Sequence, residues 1–361
     1  MARGVRTGKI PDGGPGGLGG IHLLGSIPLA DSADVFRTAA REVGSYVKRI
    51  PDGETGDRAS WGSWQRKAFA ASPAFQRVDA AESTYGAGAE WYRPLSPDTL
   101  DAADFAALGY AREALRSYEV MRELRSAQEV PATARFQVSL PTPTASIALT
   151  VEPEHRETVE PVYRRALLGD LRRILDEIPH EDLAIQWDVA VEVALLESEG
   201  AALGGWAGPK AGLFDQIMSS LVGLGDAVPS DVQLGYHLCY GNSKGKRFVE
   251  PKDTSLLVEM ANALTERVAR PIDFLHMPVP QDRTDPEYFA PLADLSSGDV
   301  TDLYLGLVYL VDGVEGAHRR IRAARTVREN FGIATDCGLG RTEPAVVRDL
   351  LQLHRRVHEQ Y

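Results

Sequence analysis

Short apolar runs recur along this chain, most closed by a polar or Gly-rich turn and followed by an amphipathic stretch. That alternation predicts strands joined by crossover helices. Ile21 to Ser26 reads as a first strand, ending in Leu24-Gly25-Ser26. Asp31 or Ser32 can cap a helix running to about Glu42. Tyr46 to Ile50 reads as a second strand, and it leads into the charged turn Pro51 to Arg58. Further strands are predicted at Ala134–Leu140, Leu183–Val189, Val232–Tyr240, Ile272–Met277, Asp302–Val308 and Phe331–Cys337. Helical periodicity covers Thr158–Ile178, 213–224, Ser255–Ala269 and Gly316–Asn330. A last helix starts at Thr342 and Pro344 and runs through His354.

Several of these strands are continuous Val/Ile/Leu-rich runs, as expected for a parallel sheet covered on both faces. Eight βα units predict an α/β fold, a single (β/α)8 barrel over residues 21–361. Residues from about 59 to 130 break the rhythm. They hold Trp61, Trp64, Trp91 and a helical stretch from Asp101 to Ala127, and are expected to be an insertion after strand two. Residues 1–20 are rich in Gly and Pro and are expected to be a flexible arm.

Composition narrows the class. The chain has 361 residues, 43% of them hydrophobic, enough for a large core. A net charge of −12 argues against a nucleic-acid surface, which needs clustered Lys and Arg. No apolar run is long enough to span a membrane, and the N-terminus lacks the apolar core of a signal peptide. A cytoplasmic protein with its two cysteines reduced is the resulting expectation.

In barrels of this type chemistry sits at the C-terminal ends of the strands. Ser26, Glu54, Asp188, His237, Cys239, His276 and Cys337 all fall there. His237 and Cys239 are two apart, so on a strand both point to one face. With Cys337 they form a donor set for a soft divalent ion, zinc above all. His276, ending strand six, is the natural fourth donor or a near neighbour. The plainer alternative is two inert buried cysteines and core histidines. Glu54 and Asp188, with the Ser26 hydroxyl nearby, suit a substrate ammonium and carboxylate. Their plainer alternative is loop ion pairing, for instance Glu54 with Arg58. The tryptophans read as packing, and His22 as a core residue. No phosphate-binding loop, nucleophile elbow or dinucleotide fingerprint occurs.

His237-Leu238-Cys239-Tyr240, Asp336-Cys337-Gly338-Leu339 with Arg341, Leu24-Gly25-Ser26, Asp52-Gly53-Glu54 and Ile185-Gln186-Trp187-Asp188 resemble motifs of one superfamily. It is that of the catalytic C-terminal barrel of cobalamin-independent methionine synthase, with uroporphyrinogen decarboxylase and the coenzyme M alkyl- and methyltransferases. The resemblance implies zinc held by His237, Cys239 and Cys337. It also implies a substrate amino group bound by Glu54 and Asp188, and a carboxylate near Ser26. The implied activity is methyl or alkyl transfer to a thiol such as homocysteine, made nucleophilic by the metal. The partners would be that thiol and a methyl or alkyl donor, a corrinoid among them. Three departures stand out. Val189-Ala190 replace the Glu-Pro that follows the Asp in methionine synthase. His276 stands where the family's third zinc ligand is a Glu, with Glu250 or Glu259, both before the tip of strand six, as the alternative ligands. The folate-handling half of methionine synthase has no counterpart. A metal-free lyase or decarboxylase on the same barrel, or a silent metal-binding relative, are the competing expectations.

Overall fold

The computed structural model describes residues 17–59, 64–79, 90–105, 108–199, 212–241, 247–296 and 300–361. Its strands are β1 (Arg49–Pro51), β2 (Phe75–Asp79), β3 (Glu90–Pro94), β4 (Arg135–Pro141), β5 (Leu183–Val189), β6 (Gln233–Leu238), β7 (Ile272–Pro278), β8 (Val300–Gly306) and β9 (Gly332–Ala334). Seven of them form one parallel sheet in the order β1-β4-β5-β6-β7-β8-β9, while β2 and β3 form a separate antiparallel hairpin. The helices are α1 (Ser32–Val43), α2 (Arg66–Ala71), α3 (Tyr110–Ser126), α4 (Pro143–Ala148), α5 (Arg156–Glu177), α6 (Val191–Glu197), α7 (Leu213–Asp226), α8 (Ser255–Arg267), α9 (Pro286–Phe289), α10 (Gly313–Arg325) and α11 (Val347–Glu359).

Helix α1 shows how local signals and burial agree. The Asp31 carboxylate caps its first turn by accepting from the Asp34 N–H at 2.9 Å. Val35, Phe36, Ala39 and Val43 recur at helical spacing and are buried. In α11 the buried stripe is Val347, Leu350, Leu351, His354 and Val357. The two helices pack together, which sets the last βα unit beside the first.

The sheet is strongly curled. Arg49 on β1 donates to Gln233 on β6 at 2.7 Å and to Asp302 on β8 at 2.9 Å, far across the strand order. Lys48 reaches the other oxygen of Asp302 at 2.7 Å. The segment expected to be the first strand is not a regular strand. Ile21 makes isolated parallel bridges to Val47 and to Ile333, and Ser26 makes one to Gly53. The reason lies in its glycines, because Gly20 and Gly25 hold φ values of +101° and +135° that break a regular pleat. Among the described residues the expected eight regular strands are therefore seven, with this irregular segment bonded to both edges.

Period-two alternation splits each strand between two environments. On β5, Ile185 and Trp187 join the large apolar layer under the helices. Gln186 and Asp188 face inward. The inner face carries a small separate apolar cluster, Ala184, Phe274 and Tyr304. The rest of it is largely polar. Gly235 is needed there, since a Cβ would sit 2.2 Å from the Phe274 ring.

The expected insertion at 59–130 is narrower in the structure. Helix α3 packs against α1, α5 and β4, the place of an ordinary crossover helix. The added part, within the described residues, is α2, the hairpin and two short 3-10 turns, over 64–105. It docks through Tyr92, whose N–H donates to Thr150 O at 2.8 Å, and through the stacked rings of Phe69 and Tyr163. Trp61 lies outside the described residues. Of the expected arm, residues 1–16 also lie outside them, whereas Leu18 is buried and the Gly19 N–H donates to Phe331 O at 2.9 Å.

Candidate metal centre

One row of the sheet register runs Asp188, His237, His276, Tyr304. Neighbours in a row of a parallel sheet point to the same face, so Asp188, His237 and His276 share the inner face at the C-terminal end. Cys239 follows β6 by one residue and is held by its N–H donating to Val189 O at 2.9 Å. Strand β9 ends at Ala334, earlier than expected, so Cys337 lies in the turn that follows it. Thr335 shapes that turn, donating its hydroxyl to Cys337 O at 2.7 Å.

This brings His237, Cys239 and Cys337 together. One ligand atom from each lies within 4.8 Å of the others. The two sulfurs are 3.7 Å apart and both cysteines are free. A tetrahedral zinc with Zn–S bonds of about 2.3 Å separates two sulfurs by about 3.8 Å. The spacing and the donor types therefore fit zinc. The fourth residue expected in the set, His276, is not in that group. Its Nε2 lies 3.0 Å from Thr335 O and its Nδ1 lies 2.7 Å from His237 Nδ1, so both ring nitrogens are already engaged.

Protonation follows the geometry. The Cys239 S–H donates to Cys337, which holds the Cys337 thiol well below its usual range, with His237 adding to the effect against burial. The same contact, with burial, pushes Cys239 up. Burial works against a charged His237, yet Cys337 beside it overrides this and raises its pKa. His276 is driven well down by burial and by the neighbouring His237 and His22. The pair of sulfurs is thus already poised to carry negative charge at the position a cation would occupy. A small cavity, about 10 Å³, lies beside them, lined among others by Arg247, Pro278, Asp336 and both cysteines.

The expected acid site lies next to it. Ser26 accepts from the Leu339 N–H at 2.7 Å, so it touches the turn that follows Cys337. Its hydroxyl donates to Glu54 Oε2. Glu54 sits at φ +51°, an uncommon conformation for a residue with a side chain, after Gly53 at +82°. Its N–H donates to Asp52 Oδ1 at 3.0 Å. Arg58 pairs with Asp52 at 2.7 Å, not with Glu54 as the plainer expectation had it. Glu54 is buried, and burial, then the Asp188 charge, push its pKa up to about 8.

The groups that hold Asp188 are not among the expected site residues. Gln186 donates to Asp188 Oδ1 at 2.8 Å and to Leu24 O at 2.6 Å, and accepts from His22 Nε2 at 2.8 Å. His22 is a core residue as expected, but as part of this polar chain; it stacks on Tyr304 with centroids 4.8 Å apart. Gln137 and Ser139 on β4 complete the inner wall, Gln137 donating to Leu23 O at 2.9 Å. The signal that was available is the period-two run of polar residues, Gln137 and Ser139, then Gln186 and Asp188, inside otherwise apolar strands.

No family model and no curated protein matches the chain. Solved structures do. The crystal structure of the "Putative Vitamin-B12 Independent Methionine Synthase" of Listeria monocytogenes superposes with a TM-score of 0.57 at 14% identity, covering 94% of this chain and 96% of that one. A B12-independent methionine synthase from Shewanella sp. W3-18-1, in complex with selenomethionine, gives 0.52 at 13% identity, covering 94% and 98%. The likeness is one of fold. It extends over nearly the full length of all three chains. Among the described residues, no helix is long and apolar enough to cross a membrane.

Proposed function

We propose that this protein is a zinc-dependent methyl- or alkyltransferase acting on a small amino-acid thiol of the homocysteine type. In this reading it works in the cytoplasm and is built on a complete (β/α)8 barrel whose eighth place is filled by the irregular segment around Ile21. The observation that carries it is the convergence of His237, Cys239 and Cys337 within 4.8 Å, at sulfur spacing suited to a tetrahedral ion. Bound there, zinc would lower the pKa of a substrate thiol so that its sulfur is nucleophilic near neutral pH.

The chain's own groups do the rest. Glu54 and Asp188 offer a buried, mutually repelling pair of carboxylates, with Asp188 paired in register with His237. A substrate ammonium placed between them relieves that repulsion and lets Glu54 give up its proton. Ser26, bonded to Glu54 and adjoining the turn after Cys337, sets the distance between ammonium and thiol. The second substrate is a methyl or alkyl donor, methylcorrinoids included. In the transfer a sulfur–carbon bond forms, the carbon–donor bond breaks, and the thiol proton leaves to solvent. The test is methyl transfer from methylcobalamin to homocysteine by zinc-loaded protein and by Cys337→Ser. Transfer that falls on the order of 100-fold or more in the variant supports the reading. Equal transfer by both, or none by fully zinc-loaded protein with any methyl or alkyl donor tried, counts against it.

A further inference from the structure

We propose that His276 is a positioning residue and not a ligand: it accepts the Nδ1–H of His237 and so presents His237 Nε2 to the metal. This rests on the metal reading above and adds to it the tautomer and the number of protein ligands.

Thr335 O, 3.0 Å from His276 Nε2, is a carbonyl and can only accept. The hydrogen on that side therefore belongs to His276 Nε2. A neutral imidazole carries one N–H, so His276 Nδ1 is bare and can only accept. The two Nδ1 atoms are 2.7 Å apart, a hydrogen-bond distance that needs one proton between them. That proton must sit on His237 Nδ1. The nitrogen of His237 left for coordination is Nε2. A dication held by His237 disfavours a second positive charge on a ring whose Nδ1 lies 2.7 Å from its own, so His276 is neutral in the loaded site.

The same side chain links the two ligand-bearing segments. One edge of His276 holds His237 on β6. The other holds Thr335, whose hydroxyl in turn holds the backbone of Cys337. Metal-bound histidines commonly donate their second N–H to a carboxylate or carbonyl, which fixes ring orientation. Here a neutral imidazole takes that part, on the strand where the resemblance had led to an expected ligand. Three protein ligands then leave one position of a tetrahedron for a substrate sulfur.

Three measurements on the full-length chain test this. Zinc-edge X-ray absorption of the loaded protein is expected to show one imidazole and two sulfurs from the protein. Nitrogen-15 NMR of histidine-labelled, zinc-loaded protein is expected to show His237 protonated at Nδ1. In cobalt(II) titrations, His276→Gln keeps one acceptor and one donor and is expected to bind within about threefold of the native chain. His276→Phe loses both and is expected to bind about 10–100-fold more weakly. Two imidazoles per zinc, a metal on His237 Nδ1, or unchanged affinity in His276→Phe would overturn the proposal. If the Phe variant does not fold, the two spectroscopic results on the native chain decide. A native chain that takes up no metal removes the metal reading and this inference together. A loaded site with two imidazoles removes only this inference.

Discussion

Glu54 should make the protein less stable as pH rises, and the size of that effect can be worked from its surroundings. Burial, reinforced by the charge of Asp188, raises its pKa from 4.5 to about 8. Each unit corresponds to about 1.4 kcal/mol. Holding Glu54 charged in the folded state without a ligand thus costs roughly 4–5 kcal/mol. The sign follows from proton counting. Between about pH 4.5 and 8 the folded chain holds a proton on Glu54 that the unfolded chain has lost. Stability from this group is therefore fully present below 4.5 and is lost as pH rises towards 8. Glu54→Gln keeps the shape and the Ser26 contact but cannot ionise. Its stability relative to the native chain should rise by about 2–4 kcal/mol between pH 5 and pH 8.5. Urea denaturation of both metal-free proteins across that range gives the difference directly, since the thiols titrate in both. Asp188→Asn should flatten the native curve in part, because it removes the second cause. Parallel curves for the native chain and Glu54→Gln would refute the account of this site.

Cys239→Ser should weaken zinc binding on the order of 100-fold or more, read by competition with a chromophoric chelator. Gly235→Ala drives a methyl group into the Phe274 ring and should cost about 1–3 kcal/mol in thermal or urea denaturation, most of it recovered with Phe274→Leu. Asp52→Asn frees Arg58 and weakens the acceptor for the Glu54 N–H. It should cost about 1–2 kcal/mol and raise the KM for the thiol more than it lowers kcat.

Much of the fold can be read from the chain because strands covered on both sides leave uninterrupted apolar runs. Leu183–Val189 is recovered residue for residue, and the others within a few residues. The first strand misleads because its composition is right while its glycine backbone is not: Gly20 and Gly25 permit bonds to both edges without a regular pleat. Helix α3 reads as part of the insertion because the hairpin before it hides its packing against α1 and α5. At the site, spacing alone pairs His237 with Cys239, since two residues on a strand share a face. That Cys337 joins them is expected from its strand-end position and from the resemblance, but the turn after β9 that places it there is seen only in the folded chain. The place of His276 at a strand end is legible too. Its role is not, because whether a histidine ligates or orients depends on what its second nitrogen meets, and Thr335 lies 59 residues away.

Zinc stoichiometry tests the central claim most directly. Full-length protein purified after metal-replete growth, and again after chelation and reloading, should hold about one zinc per chain. Replacing His237, Cys239 or Cys337 singly should release it, and replacing His155, outside the centre, should not. A native chain that stays essentially zinc-free, or one that keeps its zinc when all three residues are replaced, would contradict the account.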